Sequence, residues 1–263
     1  MAIITLTSDH GTKDFYVSAI KGLILSELPA ATIVDISHEV NTFDITQAAF
    51  IVRNSYFEFP PDTIHIIGVL PDLTDESTHV VVKYDGHYFI AADNGIFALL
   101  LDKEPEFILE LKKPENRMIK PVKDVFAKAA CFIAKGGNLA DLGIPKNTLL
   151  EKFAYRPVVD RNTIKGSVVY VDHYGNVITN ITKSLFEEVG NGKPFVITFR
   201  GSGYDMNKIC NAYNDVQPSD RMAIFGPTQF LEIAINMGNA SQLLGLNLRD
   251  TVRIEFEEER NDN

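Results

Sequence analysis

Two short stretches concentrate side chains that do chemistry. The first, "TSDHGTKD", runs from Thr7 to Asp14 between an apolar run and an amphipathic one. In open α/β sheets ligands bind at the carboxyl ends of strands, and a following helix offers free N–H groups and partial positive charge. A carboxylate such as Asp9 has two acceptor oxygens, which suits the paired hydroxyls of a ribose. The same spacing also fits Asp9 and Asp14 as capping and turn residues. A lone Gly11 beside two acids argues against a phosphate loop. The second stretch, "VYVDHYGNVITNI" from Val169 to Ile181, gathers Asp172, His173, Tyr174, Asn176, Thr179 and Asn180 around a bend. An amide such as Asn176 donates and accepts at once, as reading a purine edge requires, and Tyr174 offers a flat face for a base. A β-turn whose Gly-Asn tolerates positive φ explains the pattern equally well.

Other candidates are weaker. His38 in "DISHEV" stands near Asp35 and Glu39, but no second cluster completes a metal set, so a satisfied structural histidine is the expectation. The acidic loop "PDLTDESTH" follows the third apolar run and is either functional or a solvated crossover. There is no GxSxG, Walker or HExxH pattern, and no GxGxxG opens a helix.

The elements that must position these residues fall into two textures. In the first half strand and helix signals alternate. "AIITLTSD", "TIVDIS" and "TIHIIGVL" read as strands. "DFYVSAIKGLILSEL" reads as a helix with Phe15, Ala19, Leu23 and Leu28 near one face. "DITQAAFIVRNSYFEF" reads as a second helix, capped by Asp44 and stopped by Pro60 and Pro61. "HVVVKYDGHYFIAAD" predicts a hairpin at Asp85-Gly86, and "GIFALLLDK" and "KDVFAKAACFIAKGG" predict later helices. Repeated βα units imply a mainly parallel sheet with helices on both faces. Beyond residue 155 the signals turn to strands and turns. The expectation is an N-terminal α/β domain over 1–155, a linker over 156–165, and a smaller β-rich, barrel-like domain over 166–263.

Composition narrows the function classes. The 263 residues are 45% hydrophobic and 23% charged, ordinary for a soluble globular protein, with a net charge of −10. No Lys/Arg run supplies the basic patch of a nucleic-acid binder, and "EFEEERNDN" reads as a solvated end. Cys131 and Cys210 are far apart in apolar stretches, so buried free thiols are expected. No apolar run approaches the ~20 residues that span a bilayer, and the start lacks a signal-peptide pattern. Cytoplasmic is the resulting expectation.

Six blocks in order, "TLTSDHGTKDFYVSAIKG", "ATIVDISHEVNTFDITQAAF", "FPPDTIHIIGV", "ADNGIF", "DHYGNVITNI" and "FLEIAINMGNASQLLG", resemble the S-adenosyl-L-methionine hydroxide adenosyltransferases (the DUF62 family), relatives of the fluorinating and chlorinating S-adenosylmethionine enzymes. The resemblance covers nearly the whole chain. It implies a homotrimer whose adenosyl pocket lies between the first domain of one subunit and the second of its neighbour. It implies attack of hydroxide at the ribose C5′, releasing adenosine and L-methionine, with S-adenosylmethionine as substrate or ligand and no cofactor or metal. By position, Asp9 matches the residue holding the ribose hydroxyls, Asn176 the adenine-edge reader and Asp172 the residue near the methionine amino group. Tyr174 and Tyr213 match aromatics flanking the base, Phe43 a bulky residue beside the ribose, and Ala240 a backbone contact to adenine.

The chain departs from that pattern where the hydroxide-using members carry an Asp, an Arg and a His thought to orient and deprotonate water. Leu70 takes the Asp position, Ser77 or Thr78 the Arg position and Pro121 the His position, with Val122 at an adjoining Gly. Gly226-Pro227 replaces an Asn-Ser pair expected to help bind methionine. Leu and Pro side chains accept no proton. Asp72, Asp75 and His79 are the available substitutes in the same loop. Two functions follow: an S-adenosylmethionine-cleaving enzyme with a rebuilt water site, or a non-catalytic binder of adenosine or S-adenosylmethionine.

Overall fold

The computed structural model describes residues 2–72, 78–113, 120–152, 156–200 and 205–257, which form two compact units, Met1–Ala154 and Tyr155–Asn263. Asp75 and Ser77 lie outside the described residues.

The first unit is a seven-stranded sheet in the order β2-β1-β3-β5-β4-β6-β7. Its strands are β1 (Ile3–Ser8), β2 (Thr32–Ser37), β3 (Ile64–Gly68), β4 (His79–Tyr84), β5 (His87–Ala92), β6 (Phe107–Leu111) and β7 (Gly143–Pro145). Pairing is parallel from β2 through β1 and β3 to β5, and antiparallel beyond. The parallel half arises where helices α1 (Tyr16–Glu27) and α2 (Ile45–Arg53) return the chain to the same edge. The antiparallel half begins with the β4–β5 hairpin, whose Asp85 and Gly86 both have positive φ (50° and 76°), the type I′ geometry that matches strand twist.

Alternation sorts the apolar runs onto two faces. Ile4, Leu6, Ile64, Ile66, Val81 and Ile90 pack with α1 and with a helix that starts as a π-helical turn (Val122–Ala127) and continues over Lys128–Ala134.

 Helix α3 is Ile96–Leu100, and the helix Lys128–Ala134 is α4. Ile67, Val80, Val82, Phe89 and Ala91 pack with α2 and α3 on the opposite face.

The structure corrects two local expectations. The buried stripe of α1 is Val17, Ile20 and Ile24; Leu23 and Leu28 only flank it and Phe15 is exposed. The period is helical, but the phase is set by the sheet rather than by the largest side chains. Helix α2 ends at Arg53, before the prolines, because the Asn54 and Ser55 side chains donate back to the carbonyls of Phe50 and Ile51 and compete for the helix end. Its start is as expected: Asp44 accepts from the N–H groups of Thr46 and Gln47.

Buried histidines give this unit a pH dependence. His65 Nδ1 lies 2.7 Å from Thr5 Oγ1 and its Nε2 lies 3.2 Å from His87 Nδ1. Burial, with the neighbouring His87 adding to it, pushes the His65 pKa down to about 3. His65 is therefore neutral in the fold while the unfolded chain binds a proton near pH 6.5. Stability is complete above that pH and falls below it, by about 2 kcal/mol at pH 5 for this residue alone. Urea midpoints at pH 8 and pH 5 should differ accordingly, and His65→Gln should flatten the difference. Equal stability at both pH values in the parent protein would refute the assignment.

The second unit is an eight-stranded sheet in the order β11-β15-β9-β10-β14-β13-β12, with β8 pairing β9. Its strands are β8 (Val158–Asp160), β9 (Thr163–Val171), β10 (Val177–Thr182), β11 (Phe195–Thr198), β12 (Ile209–Cys210), β13 (Arg221–Phe225), β14 (Phe230–Ile235) and β15 (Thr251–Phe256). Pairing is antiparallel except between β12 and β13. The stretch 156–165 is not a linker throughout: β8 turns at Arg161-Asn162 and pairs with the start of β9. The long β9 pairs β15 with its first half and β10 with its second. At the crossover a Cβ on Gly166 would come within 2.4 Å of Ile181, so only glycine fits there without displacement.

Candidate functional site

Two groups of polar and aromatic side chains stand out, one in each unit.

In the first unit the parallel strands β1, β2 and β3 end together, at Ser8, Ser37 and Gly68. The loops leaving them are tied to one another. The N–H of Gly11 donates to the His38 carbonyl, and Ser8 Oγ lies 2.8 Å from His38 Nδ1. His38 Nε2 is 3.1 Å from Asp35 Oδ1, outside good hydrogen-bond alignment, so the residue is an internal strut rather than a reactive group. Asp9 Oδ2 accepts from the N–H of Phe43 at 2.9 Å. That bond holds Phe43 at φ 66° with its ring largely exposed, a costly conformation for a bulky residue.

A cavity of about 280 Å³ is lined by His10, Tyr16, Pro71, Asp72, Lys120 and Pro121 among others. Lys120 Nζ sits 4.4 Å from the Phe15 ring centroid and 4.8 Å from that of Tyr16. His10 Nδ1 is buried with no hydrogen-bond partner among the described residues. Burial pulls the His10 pKa down; the Asp9 charge opposes this, and His38 and Lys120 reinforce it.

The substitutes for the missing water-activating groups differ in their situation. Asp72 lines the cavity. His79 is buried; its Nε2 lies 2.8 Å from the Pro71 carbonyl and its ring stands edge-on to Phe126. With Nε2–H donating to that carbonyl, Nδ1 is the acceptor nitrogen of the ring. Leu70 is partly exposed at φ 46°. Val122 fills the space over Gly68, where an added Cβ would meet its methyls at 2.8 Å. The "ADNG" block proves structural: Asn94 Nδ2 donates to the Val69 and Leu70 carbonyls, and buried Asp93 accepts from Lys146 Nζ and the Leu150 N–H.

In the second unit the β9–β10 turn is clasped by its own side chains. Asp172 accepts the Asn176 N–H at 2.8 Å on one oxygen and Asn176 Nδ2 at 2.9 Å on the other. Asn176 is buried, while Tyr174 is 75% exposed, so its ring faces solvent unless something covers it. These three residues line a cavity of about 570 Å³ with Tyr213, Ile235, Met237, Gly238 and Asn239. Asn239 caps α5 (Ala240–Leu244) by accepting the Gln242 N–H, and Ala240 is fully buried behind it. Thr179 and Asn180, from the same turn sequence, serve the sheet instead: Thr179 Oγ1 donates to the Leu231 carbonyl and Asn180 Oδ1 accepts the Ser167 N–H.

Sequence reading missed two contributors here. Glu232 lies within an apolar strand, "FLEIAI", and accepts from Tyr213 Oη at 2.5 Å, fixing that ring at the cavity. Burial raises the Glu232 pKa and the Asp172 charge adds to it, against the Tyr213 bond. A charged residue in an apolar run was the available signal. The other is Asn239: a Cβ on Gly175, itself at φ 83°, would meet the Asn239 side chain at 2.2 Å. Gly175→Ala should therefore destabilise this unit by about 2–3 kcal/mol, through backbone strain and loss of the α5 cap. Denaturant unfolding reads it; a loss below 0.5 kcal/mol (about the noise for a neutral surface change) would show the turn to be free to relax.

Among the described residues no group of three or more His, Cys, Asp or Glu is placed to hold a metal ion, and no helix is long and apolar enough to cross a membrane.

The class these two units define is recognised in comparison with known proteins. Residues 4–143 match the SAM hydroxide adenosyltransferase N-terminal domain and residues 166–253 match its C-terminal domain. The chain belongs to the SAM hydroxide adenosyltransferase family. It is 28% identical over 261 residues to the (R)-S-adenosyl-L-methionine hydrolase of Methanocaldococcus jannaschii, covering 97% of this chain and 96% of the relative. It is 26% identical to the protein of the same name from Thermus thermophilus, covering 97% and 100%. A crystal structure of an uncharacterized conserved protein from Thermotoga maritima aligns with a TM-score of 0.85 at 28% identity, over 96% of this chain and 99% of that one.

Proposed function

We propose that this protein cleaves S-adenosyl-L-methionine by attack of water at the ribose C5′, giving adenosine and L-methionine. The observation that carries the reading is the match of both units to one family, together with relatives named (R)-S-adenosyl-L-methionine hydrolase that align over 96% and 100% of their length. The sulfonium is already a good leaving group, so no acid is needed to expel it, and the protein's task is to bind, aim and deprotonate water. No cofactor enters this scheme.

Each residue has a role that its surroundings support. Asp9 uses one oxygen on Phe43 and keeps the other for the ribose hydroxyls. Asn176 spends its Nδ2 on Asp172, leaving its carbonyl oxygen to accept from the exocyclic amine of adenine. Asp172 retains lone pairs for the methionine ammonium. Tyr174 and Tyr213 flank the base, Phe43 covers the ribose and Ala240 presents backbone to the adenine edge. Because these residues divide between two units, we place the complete site at a subunit interface of a homotrimer in the cytoplasm, each first unit completed by a neighbouring copy. The exposed rings of Phe15, Phe43 and Tyr174 suit such a covered surface.

The test is incubation of the purified protein with S-adenosylmethionine, following adenosine by chromatography. Time-dependent adenosine above a no-protein control supports hydrolysis. Saturable binding of adenosine or S-adenosylmethionine with no turnover would replace it by the non-catalytic binder, and sedimentation at a mass other than a trimer would remove the interface site.

A further inference from the structure

We propose that the His10 imidazole takes the proton from the attacking water, an assignment that rests on the hydrolytic reading above. Three observations lead to it. His10 follows Asp9 in the chain, so a base and the ribose-holding carboxylate leave the same strand end. His10 lines the 280 Å³ cavity, space for several waters at ~30 Å³ each, and Pro121 lines it too. Its Nδ1 is shut off from bulk solvent yet has no partner among the described residues. An unpaired buried nitrogen is costly, and a water admitted to it from that cavity would relieve the cost.

Among the histidines of this unit, His10 is the one in the cavity lining. His38 Nδ1 is engaged by Ser8 and its buried Nε2 faces the Asp35 carboxylate, His79 Nε2 is engaged by the Pro71 carbonyl, and His65 lies between Thr5 and His87. With its proton on Nε2, His10 holds a free lone pair on Nδ1. The water oxygen bonds to C5′ as the C5′–S bond breaks. The bonding pair leaves with the methionine sulfur, the water proton passes to Nδ1, and from there it returns to solvent. The groups facing His10 are Asp9 on its own loop, Tyr16 on α1, His38 after β2, Asp72 after β3, and Lys120 and Lys123 at the start of the π-helical turn. Desolvation, with the cations reinforcing it, keeps the imidazole neutral at pH 7, as a base must be.

The experiment measures adenosine release by the full-length parent, His10→Ala and His10→Gln across pH 5–9, with and without added imidazole. Expected is a fall in kcat of about 100-fold or more in both variants, with KM little changed. The acid limb of the parent profile, lying below pH 6.5, should vanish in both variants, and imidazole should restore turnover to His10→Ala alone. Calorimetric titration with adenosine confirms that each variant is folded and binds. A variant that binds adenosine and keeps its rate or its acid limb overturns the assignment while leaving hydrolysis standing. A parent that binds adenosine but releases none overturns both.

Discussion

Asp9→Ala should weaken adenosine binding by about 10²- to 10⁴-fold. The carboxylate stands where strand β1 gives way to its loop, with one oxygen on the Phe43 N–H and the other uncommitted. Two ribose hydroxyls donating to a charged acceptor contribute about 1.5–3 kcal/mol each. Removing the carboxylate also releases Phe43 from its positive φ, so the ring proposed to cover the sugar moves as well. Asp9→Asn separates the two effects. Its amide oxygen still accepts from Phe43, but its NH₂ cannot accept from a hydroxyl, so binding should fall between alanine and the parent. Titration calorimetry with adenosine measures both. Parent-like affinity in Asp9→Asn would remove the ribose role and leave Asp9 as a loop anchor.

Lys146→Met should destabilise the first unit by about 3–5 kcal/mol. Asp93 is 1% exposed and accepts from Lys146 Nζ at 2.7 Å and from the Leu150 N–H at 2.8 Å. Lys146 also donates to Thr78 Oγ1. Taking away the ammonium strands a buried carboxylate with a single neutral donor, the most costly way to break such a pair. Adding Asp93→Asn should recover much of the loss, because the uncompensated charge goes with it. Urea unfolding of both variants decides. A loss under 1 kcal/mol for Lys146→Met would mean that water reaches the pair and that its enclosure matters little.

What the sequence made legible was local. Asp44 as a cap, Asp85-Gly86 as a hairpin turn, and Asp172 with Asn176 as one cluster all involve residues within four of each other, so their chemistry is written in adjacent letters. The strand and helix order followed from periodicity, since alternation and 3.6-residue spacing each specify a buried face. Features decided by distant partners were not legible. Three-residue β8 carries too little pattern to distinguish it from a linker; it is a strand because β9 lies beside it. The phase of α1 depends on which side chains meet Ile4 and Ile66, not on which are largest. Within the candidate site, nothing in the sequence singles out His10, because solitude of a ring nitrogen is visible only once the surrounding chain is in place. Glu232 owes its place to Tyr213, 19 residues away in the chain and bonded to it. The family resemblance ran ahead of these physical readings, drawing on blocks distributed over the whole chain.

The chain contains no tryptophan, and the Tyr174 ring projects at the lip of the larger hollow. A Tyr174→Trp substitution would therefore install a solitary indole whose emission, free of background from any other, registers the arrival of a stacking purine in real time. Stopped-flow fluorescence on that variant would resolve nucleoside capture from the slower bond-breaking step, giving the two rate constants that end-point chromatography merges.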